Sequence, residues 1–145
     1  MLLAENKKAR FDYDILETLE AGLILSGPEV KSVKAGQINL KGSFVTFHKD
    51  SALITNAHIA RYKQAGPQPD FDPTRSRKLL LHKKEIRYLR EKSLERGLTI
   101  IPLQVYTKNR LVKVEIAVAR GRHKYDKREV IKKRELQREM RKIVK

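Results

Sequence analysis

The chain contains no cysteine. A disulfide framework and thiolate metal sites are therefore excluded. Long apolar runs are missing too, and nothing approaches the roughly 18 residues of a membrane span. The opening MLLAENKKAR has only a short apolar stretch before charge begins, too short for a signal-peptide core, so a cytoplasmic protein is expected. The glycines form neither GxGxxG nor GxxxxGK[ST], and no serine sits in a nucleophile elbow. The histidines, His48, His58, His82 and His123, have no carboxylate at metal-motif spacing. His48 and His58 could meet across a hairpin, but two surface histidines are the commoner outcome. No catalytic constellation, metal or cofactor is expected.

What the chain has is positive charge. It carries 33 lysines and arginines against 17 acidic residues, a net +16. The last 26 residues, RGRHKYDKREVIKKRELQREMRKIVK, hold 12 of the basic residues and 4 of the acidic ones. Residues 1–119 are read as one body and 120–145 as a basic tail. Such a distribution points to nucleic acid as the partner.

The body reads as mainly β. Residues 1–10 look like an arm carrying Lys7, Lys8 and Arg10. Strand-like stretches surround Tyr13, Ile15 and Leu19. Pro28 suits a first helical turn and Gly36 the position past its end, which predicts a short helix over 28–35 with Val30 and Val33 inward and Lys31 and Lys34 outward. Alternation predicts strands over 42–48 and 52–59. The glycine- and proline-bearing stretch 63–77 reads as a long loop. Ile86, Leu89 and Leu94 predict a helix over 83–96 ended by Gly97. Two strong strands follow, with Ile101, Leu103 and Val105 sharing one face, and Val112, Val114, Ile116 and Val118 another. The order βαββαββ, with five or six strands and two or three helices, predicts an α+β, mainly β fold: a small antiparallel barrel, its edges removed by closure, with flanking helices and a basic C-terminal tail.

In the tail, Asp126 and Glu129 fit a capping box opening a helix over 127–145, about 28 Å long. Leu136, Met140, Ile143 and Val144 give a thin apolar stripe. Lys132, Lys133, Arg134, Arg138, Arg141 and Lys142 spread around it and repel one another. A tail disordered alone and helical beside phosphates is expected. If it engages six to eight phosphates, log K falls with log salt at a slope of roughly −4 to −7. Tyr125, the one tail aromatic, suits either stacking on a base or a hydrophobic staple beside the cap.

The stretches NKKARFDY (6–13), LEAGLILSGPEVKSVKAG (19–36), GSFV (42–45), DPTRSRKLLLH (72–82) and ARGRHKYDKRE (119–129) closely resemble the SmpB family, the SsrA-binding proteins of bacteria. The resemblance keeps the family's order and spacing from residue 6 to about 134. It implies an OB-like barrel that binds the tRNA-like domain of transfer-messenger RNA (tmRNA). It implies delivery of the alanylated RNA, with elongation factor Tu, to ribosomes stalled without a stop codon. The protein then stands in for a missing anticodon stem, its tail entering the decoding centre and turning helical along the empty mRNA channel. A degradation tag is encoded by the resident message.

The family's RNA-contact positions fall on Glu20, Leu80 and His82. His82 departs from members that have Asn, though both hydrogen-bond. On residue type alone, Leu80 would be core and Glu20 an ordinary strand charge. Lys7, Lys8, Arg10, Lys31, Lys34, Arg75, Arg77 and Lys78 are expected phosphate contacts from charge. The decoding-centre motif falls on Asp126, Lys127 and Arg128, preceded by Tyr125 where some members have His. Ribosomal RNA of the small subunit is the partner this implies for the tail, with one protein per tRNA-sized partner. A structural ribosomal protein with a basic tail is the runner-up, and a small ribonuclease using His82 or His123 the third reading.

Overall fold

In the computed structural model, two long strands at the end of the body carry the architecture. β8 (Leu98–Lys108) and β9 (Leu111–Gly121) form a hairpin joined through Asn109 and Arg110. Both turn residues have positive φ, 52° and 67°, the conformation whose twist suits a two-residue hairpin. The structure describes residues 1–122 and Arg138. Tyr125, Asp126, Lys127, Arg128, Lys132, Lys133 and Arg134 lie outside the described residues, as does the expected tail helix apart from Arg138.

Before the hairpin come β1 (Leu2–Glu5), α1 (Lys7–Asp12), β2 (Tyr13–Leu23), α2 (Gly27–Lys34), β3 (Ile38–Asn39), β4 (Phe44–His48), β5 (Ser51–Thr55), β6 (His58–Ile59), β7 (Arg77–Leu80) and α3 (Lys83–Leu94). A single 3₁₀ turn at Lys63–Ala65 interrupts the expected long loop. Seven strands make one antiparallel sheet in the order β1-β8-β9-β2-β7-β5-β4, and β3 pairs with β6 separately. The sheet curls so that β4 comes beside β8. Among the described residues no ladder joins β4 to β1, so the barrel is partly open, as OB-type barrels are.

The curl encloses a core built from the expected alternation. Val112, Val114, Ile116 and Val118 face it from β9, with Ala21 and Leu23 from β2 and Ile54 from β5. β8 behaves differently from its pattern. A bulge between Pro102 and Gln104 lets Ile100 and Val105 face the barrel core, whereas Ile101 and Leu103 belong to a second cluster with Ala9, Ala117 and Ala119.

That second cluster explains the N-terminal residues, which are not an arm. β1 pairs with β8, and α1 lays Ala9 over the far side of the β8–β9 hairpin. Asn6 locks the junction. Its Oδ1 accepts from the Ala9 amide at 3.2 Å, and its Nδ2 donates to the carbonyls of Leu40 and Pro102 at 3.3 and 3.0 Å.

The helices keep their places with adjusted ends. α2 opens on a capping box in which the Glu29 amide donates to Ser26 Oγ and the Ser26 amide to Glu29 Oε1. Val33 is buried, Val30 half-buried, and Lys31 and Lys34 are exposed. α3 buries Ile86 and Leu89, but Leu94 is 80% exposed, off the stripe expected to hold it. It lies eight residues past Ile86, about 80° around the helix.

β9 continues to Gly121, two residues past the expected edge of the body. Arg122 is fixed there. Its amide donates to the Asp12 carbonyl, and its guanidinium reaches Asp14 at 2.9 Å and the Phe11 carbonyl at 3.3 Å. The tail therefore departs from a defined point beside the end of α1. His48 stands opposite Ser51 and His58 opposite Asn39, so the ladders do not bring these histidines face to face.

Candidate RNA interface

The outer face of the sheet over β9, β2 and β7 follows directly from register. Glu20 pairs with Glu115, and Gly22 pairs with both Lys113 and Leu80. Side chains alternate along a strand, so Glu20, Gly22, Lys78, Leu80, Lys113 and Glu115 share the solvent face. Chain separation hides this grouping in the sequence.

Leu80 is 65% exposed, so the core reading of this leucine fails. Its neighbours Arg77 and Leu79 point inward, and Lys78 outward with Leu80. Gly22 makes room for it: a Cβ at Gly22 would lie 3.1 Å from Leu80 Cβ, tighter than ordinary contact. Glu20, Gly22, Leu80, Leu81, His82, Glu85 and Lys113 together line a concavity of about 410 Å³. The three positions implied for RNA contact thus meet at one place. His82 arrives there as the cap of α3, its backbone amide donating to Glu85 Oε1 at 3.0 Å while the imidazole stays exposed.

Glu20 is an ionised acceptor at this site. The Tyr106 hydroxyl donates to it, and with Lys108 and Lys113 nearby this holds its carboxyl below the usual range. Burial and the same hydrogen bond push the Tyr106 phenol up to about 12. Lys108 Nζ stands 3.5 Å from Glu20. A carboxylate in this state accepts hydrogen bonds from base amino groups or a ribose hydroxyl. Sequence reasoning does not find Gly22 and Lys113 at this concavity, nor Tyr106 and Lys108 bonded to Glu20. The outward position of Lys113 is legible from alternation; its place beside Glu20 and Leu80 is not.

The expected phosphate contacts divide. Lys7, Lys8, Lys34 and Lys78 are exposed. Lys31 is exposed as well, with its ammonium 5.6 Å from the Tyr62 ring centroid. Arg10 is exposed but lies 3.7 Å from Glu5 and 3.6 Å from Glu115. Arg75 is exposed and bonded to Glu29.

Arg77 is a correction: it is fully buried and reaches no outside phosphate. Its Nε donates to Glu29 Oε2 at 2.8 Å, its Nη1 donates to the Ala57 carbonyl at 2.8 Å, and its Nη2 lies 2.7 Å from the same carboxylate. Glu29 is 2% exposed. Burial pushes its carboxyl up, but the Ser26 amide, Arg77 and Arg75 outweigh burial and leave it below the usual range. The cation expected at the surface is a clamp joining α2, β7 and the connection between β5 and β6.

Among the described residues no cluster of three metal-ligating side chains occurs. No helix there is long and apolar enough to cross a membrane.

The family model described as SmpB protein matches residues 3–145. An SsrA-binding protein of Leuconostoc mesenteroides is 55% identical over 138 residues, covering 95% of this chain and 89% of that protein. One from Chloroflexus aggregans is 49% identical over 144 residues, covering 99% and 91%. A solved structure described as "tmRNA-SmpB: a journey to the center of the bacterial ribosome" aligns with a TM-score of 0.70 at 44% identity, over 88% of this chain and 93% of that one.

Proposed function

The chain belongs to the SmpB family, and from that premise we propose that it is an RNA-binding adaptor that binds the tRNA-like domain of tmRNA and brings it to stalled ribosomes for trans-translation. The observation that carries the reading is the meeting of Glu20, Leu80 and His82 in one concavity beside Lys113. These residues come from β2, β7 and the start of α3, and the sheet register brings them together at the surface. An exposed leucine, an ionised acceptor and an exposed imidazole suit a folded RNA read by shape, bases and ribose hydroxyls.

Binding and chemistry separate here. The site has acceptors, a cation and an apolar wall, and works by retention of RNA rather than cleavage. The adaptor role has no need of a catalytic group, metal or cofactor. The tail, with Tyr125 and the Asp126-Lys127-Arg128 motif, is assigned to the decoding centre and the empty mRNA channel, against small-subunit ribosomal RNA. Lys132, Lys133 and Arg134 supply phosphate contacts along that path. Elongation factor Tu delivers the charged complex, and the work takes place in the cytoplasm with one protein per RNA.

Lys7, Lys8, Lys31, Lys34, Lys78 and, after release from Glu29, Arg75 are general phosphate contacts; Arg10 contributes only if its carboxylate partners yield.

The test is retention of three RNAs by the purified full-length protein at moderate salt. tmRNA should be held in strong preference to tRNA and to an unrelated RNA of similar length, and should stay intact. Equal retention of all three would point instead to the structural ribosomal protein. Cleavage would point to the ribonuclease.

A further inference from the structure

A second groove adjoins the concavity that holds Glu20, Leu80 and His82. Its volume is about 330 Å³, and it shares Gly22, Leu80 and Lys113 with that concavity. Its floor is Leu23, Leu25, Val30 and Val112. Three large apolar side chains stand around it in solvent: Leu80, Ile24 at 46% exposure and Leu111 at 59%. Single exposed apolar residues are ordinary, but three around one groove form a patch that a partner normally covers.

The charge at its rim narrows the partner. Arg110 and Lys113 line the groove and no acidic residue does. Arg110 occupies the second turn position of the β8–β9 hairpin at φ 67°, a conformation costly for a residue with a side chain. The turn fixes its backbone beside Leu111. Continuity with the neighbouring concavity and the wholly cationic rim both favour RNA over an apolar protein segment.

We propose that this groove is a subsite for one unpaired nucleotide of the bound RNA. The base lies against Ile24, Leu80 and Leu111, and its phosphate faces Arg110 and Lys113. The inference rests on the tmRNA-binding reading and extends it: Leu80 becomes a wall shared by two adjoining nucleotide sites. Bases have an apolar face that gains from leaving water, and a cation at the sugar–phosphate edge fixes their register.

The experiment compares full-length protein with the double variant Ile24→Ser/Leu111→Ser and with Arg110→Gln, using tmRNA transcript as the probe. Ile24 and Leu111 are exposed, so the fold should tolerate both changes; circular dichroism and thermal melting check this, and Leu111→Ser alone serves if the double variant melts early. The double variant should bind tmRNA about tenfold more weakly with an unchanged salt slope, because it removes apolar contact and no charge. Arg110→Gln should reduce the slope by about 0.7–0.9, the loss of one phosphate contact. Chemical footprinting should lose protection at one unpaired nucleotide in the double variant and keep it elsewhere.

If wild-type protein prefers tmRNA while the folded serine variant equals it in affinity and footprint, the subsite is wrong and the tmRNA reading stands. An apolar protein partner is then the better occupant. If wild type shows no preference for tmRNA, the functional reading itself fails.

Discussion

Arg77→Met should destabilise the fold by about 3–5 kcal/mol, the range for removing one partner of a buried ion pair. Methionine keeps much of the volume, so the loss is chiefly of charge and hydrogen bonds. In the native protein the guanidinium Nε hydrogen-bonds Glu29 Oε2, Nη1 hydrogen-bonds the Ala57 carbonyl, and Nη2 stands 2.7 Å from the same Glu29 oxygen as an ion pair. Its removal leaves a nearly buried carboxylate with Arg75 as its remaining arginine partner. For a body of this size the melting temperature should fall by more than about 10 °C. Adding Glu29→Gln should recover much of the loss, because glutamine still accepts from the Ser26 amide and carries no charge. A melting temperature within a few degrees of wild type for Arg77→Met would show that the clamp is not structural.

The acid dependence has a definite sign. In the native fold the Glu29 carboxyl lies below its ordinary value. Its stabilisation is therefore fully present above the unfolded-state pKa of about 4.3 and is lost as pH falls through the lower folded value. Without Arg77, burial gains on the remaining partners and the carboxyl moves upward. Protonation then relieves the variant at a higher pH. The difference in stability between wild type and Arg77→Met should shrink on acidification from neutrality toward pH of about 4, readable from denaturant melts across that range.

Truncation after Arg122 should keep the preference for tmRNA and abolish tagging on ribosomes stalled without a stop codon. The deleted residues, 123–145, hold 10 lysines and arginines against 4 acidic residues. Contacts from such a segment are to phosphates and carry little sequence information. Their loss should weaken binding to unrelated RNA and flatten the salt dependence, so the ratio of specific to non-specific binding should rise. The body keeps its cores, because both are assembled from residues up to Ala119, and it keeps the Arg122 contacts at the tail's root. Loss of the tmRNA preference on truncation would move recognition into the tail. Full tagging by the truncated protein would remove the tail from the decoding centre.

Much of the architecture is written in local patterns. Val112 to Val118 alternate without interruption, and Pro28 and Gly36 bracket α2 as expected. Less was legible where an element depends on distant chain. β1 and α1 are too short to show a period, and their support comes from β8 and from Asn6 reaching Leu40 and Pro102. β7 hides between a loop and a helix, and only its ladders to β2 and β5 give it a place. The β8 bulge breaks a pattern that looked continuous.

The site divides the same way. The family resemblance alone pointed to Glu20, Leu80 and His82, and register across β9, β2 and β7, with the start of α3, brings them together. The same reasoning put Arg77 outside because it is basic and sits among basic residues. Alternation along β7 would have turned it inward with Leu79 had the strand been recognised, and the capping carboxylate of Glu29 was the missing partner. Alternation along β9 turns Lys113 outward, but its pairing with Gly22 exists only in the folded sheet.

On the proposed function, the outer face around Leu80 selects tmRNA. Leu80 is exposed, so Leu80→Ser should leave the fold intact. The most direct measurement is competition binding of tmRNA against tRNA for wild type and Leu80→Ser side by side, with thermal melts as the folding control. The wild type should show a clear preference, and the variant about a tenfold loss of tmRNA affinity with tRNA binding little changed. An undiminished preference in a folded Leu80→Ser protein would contradict it.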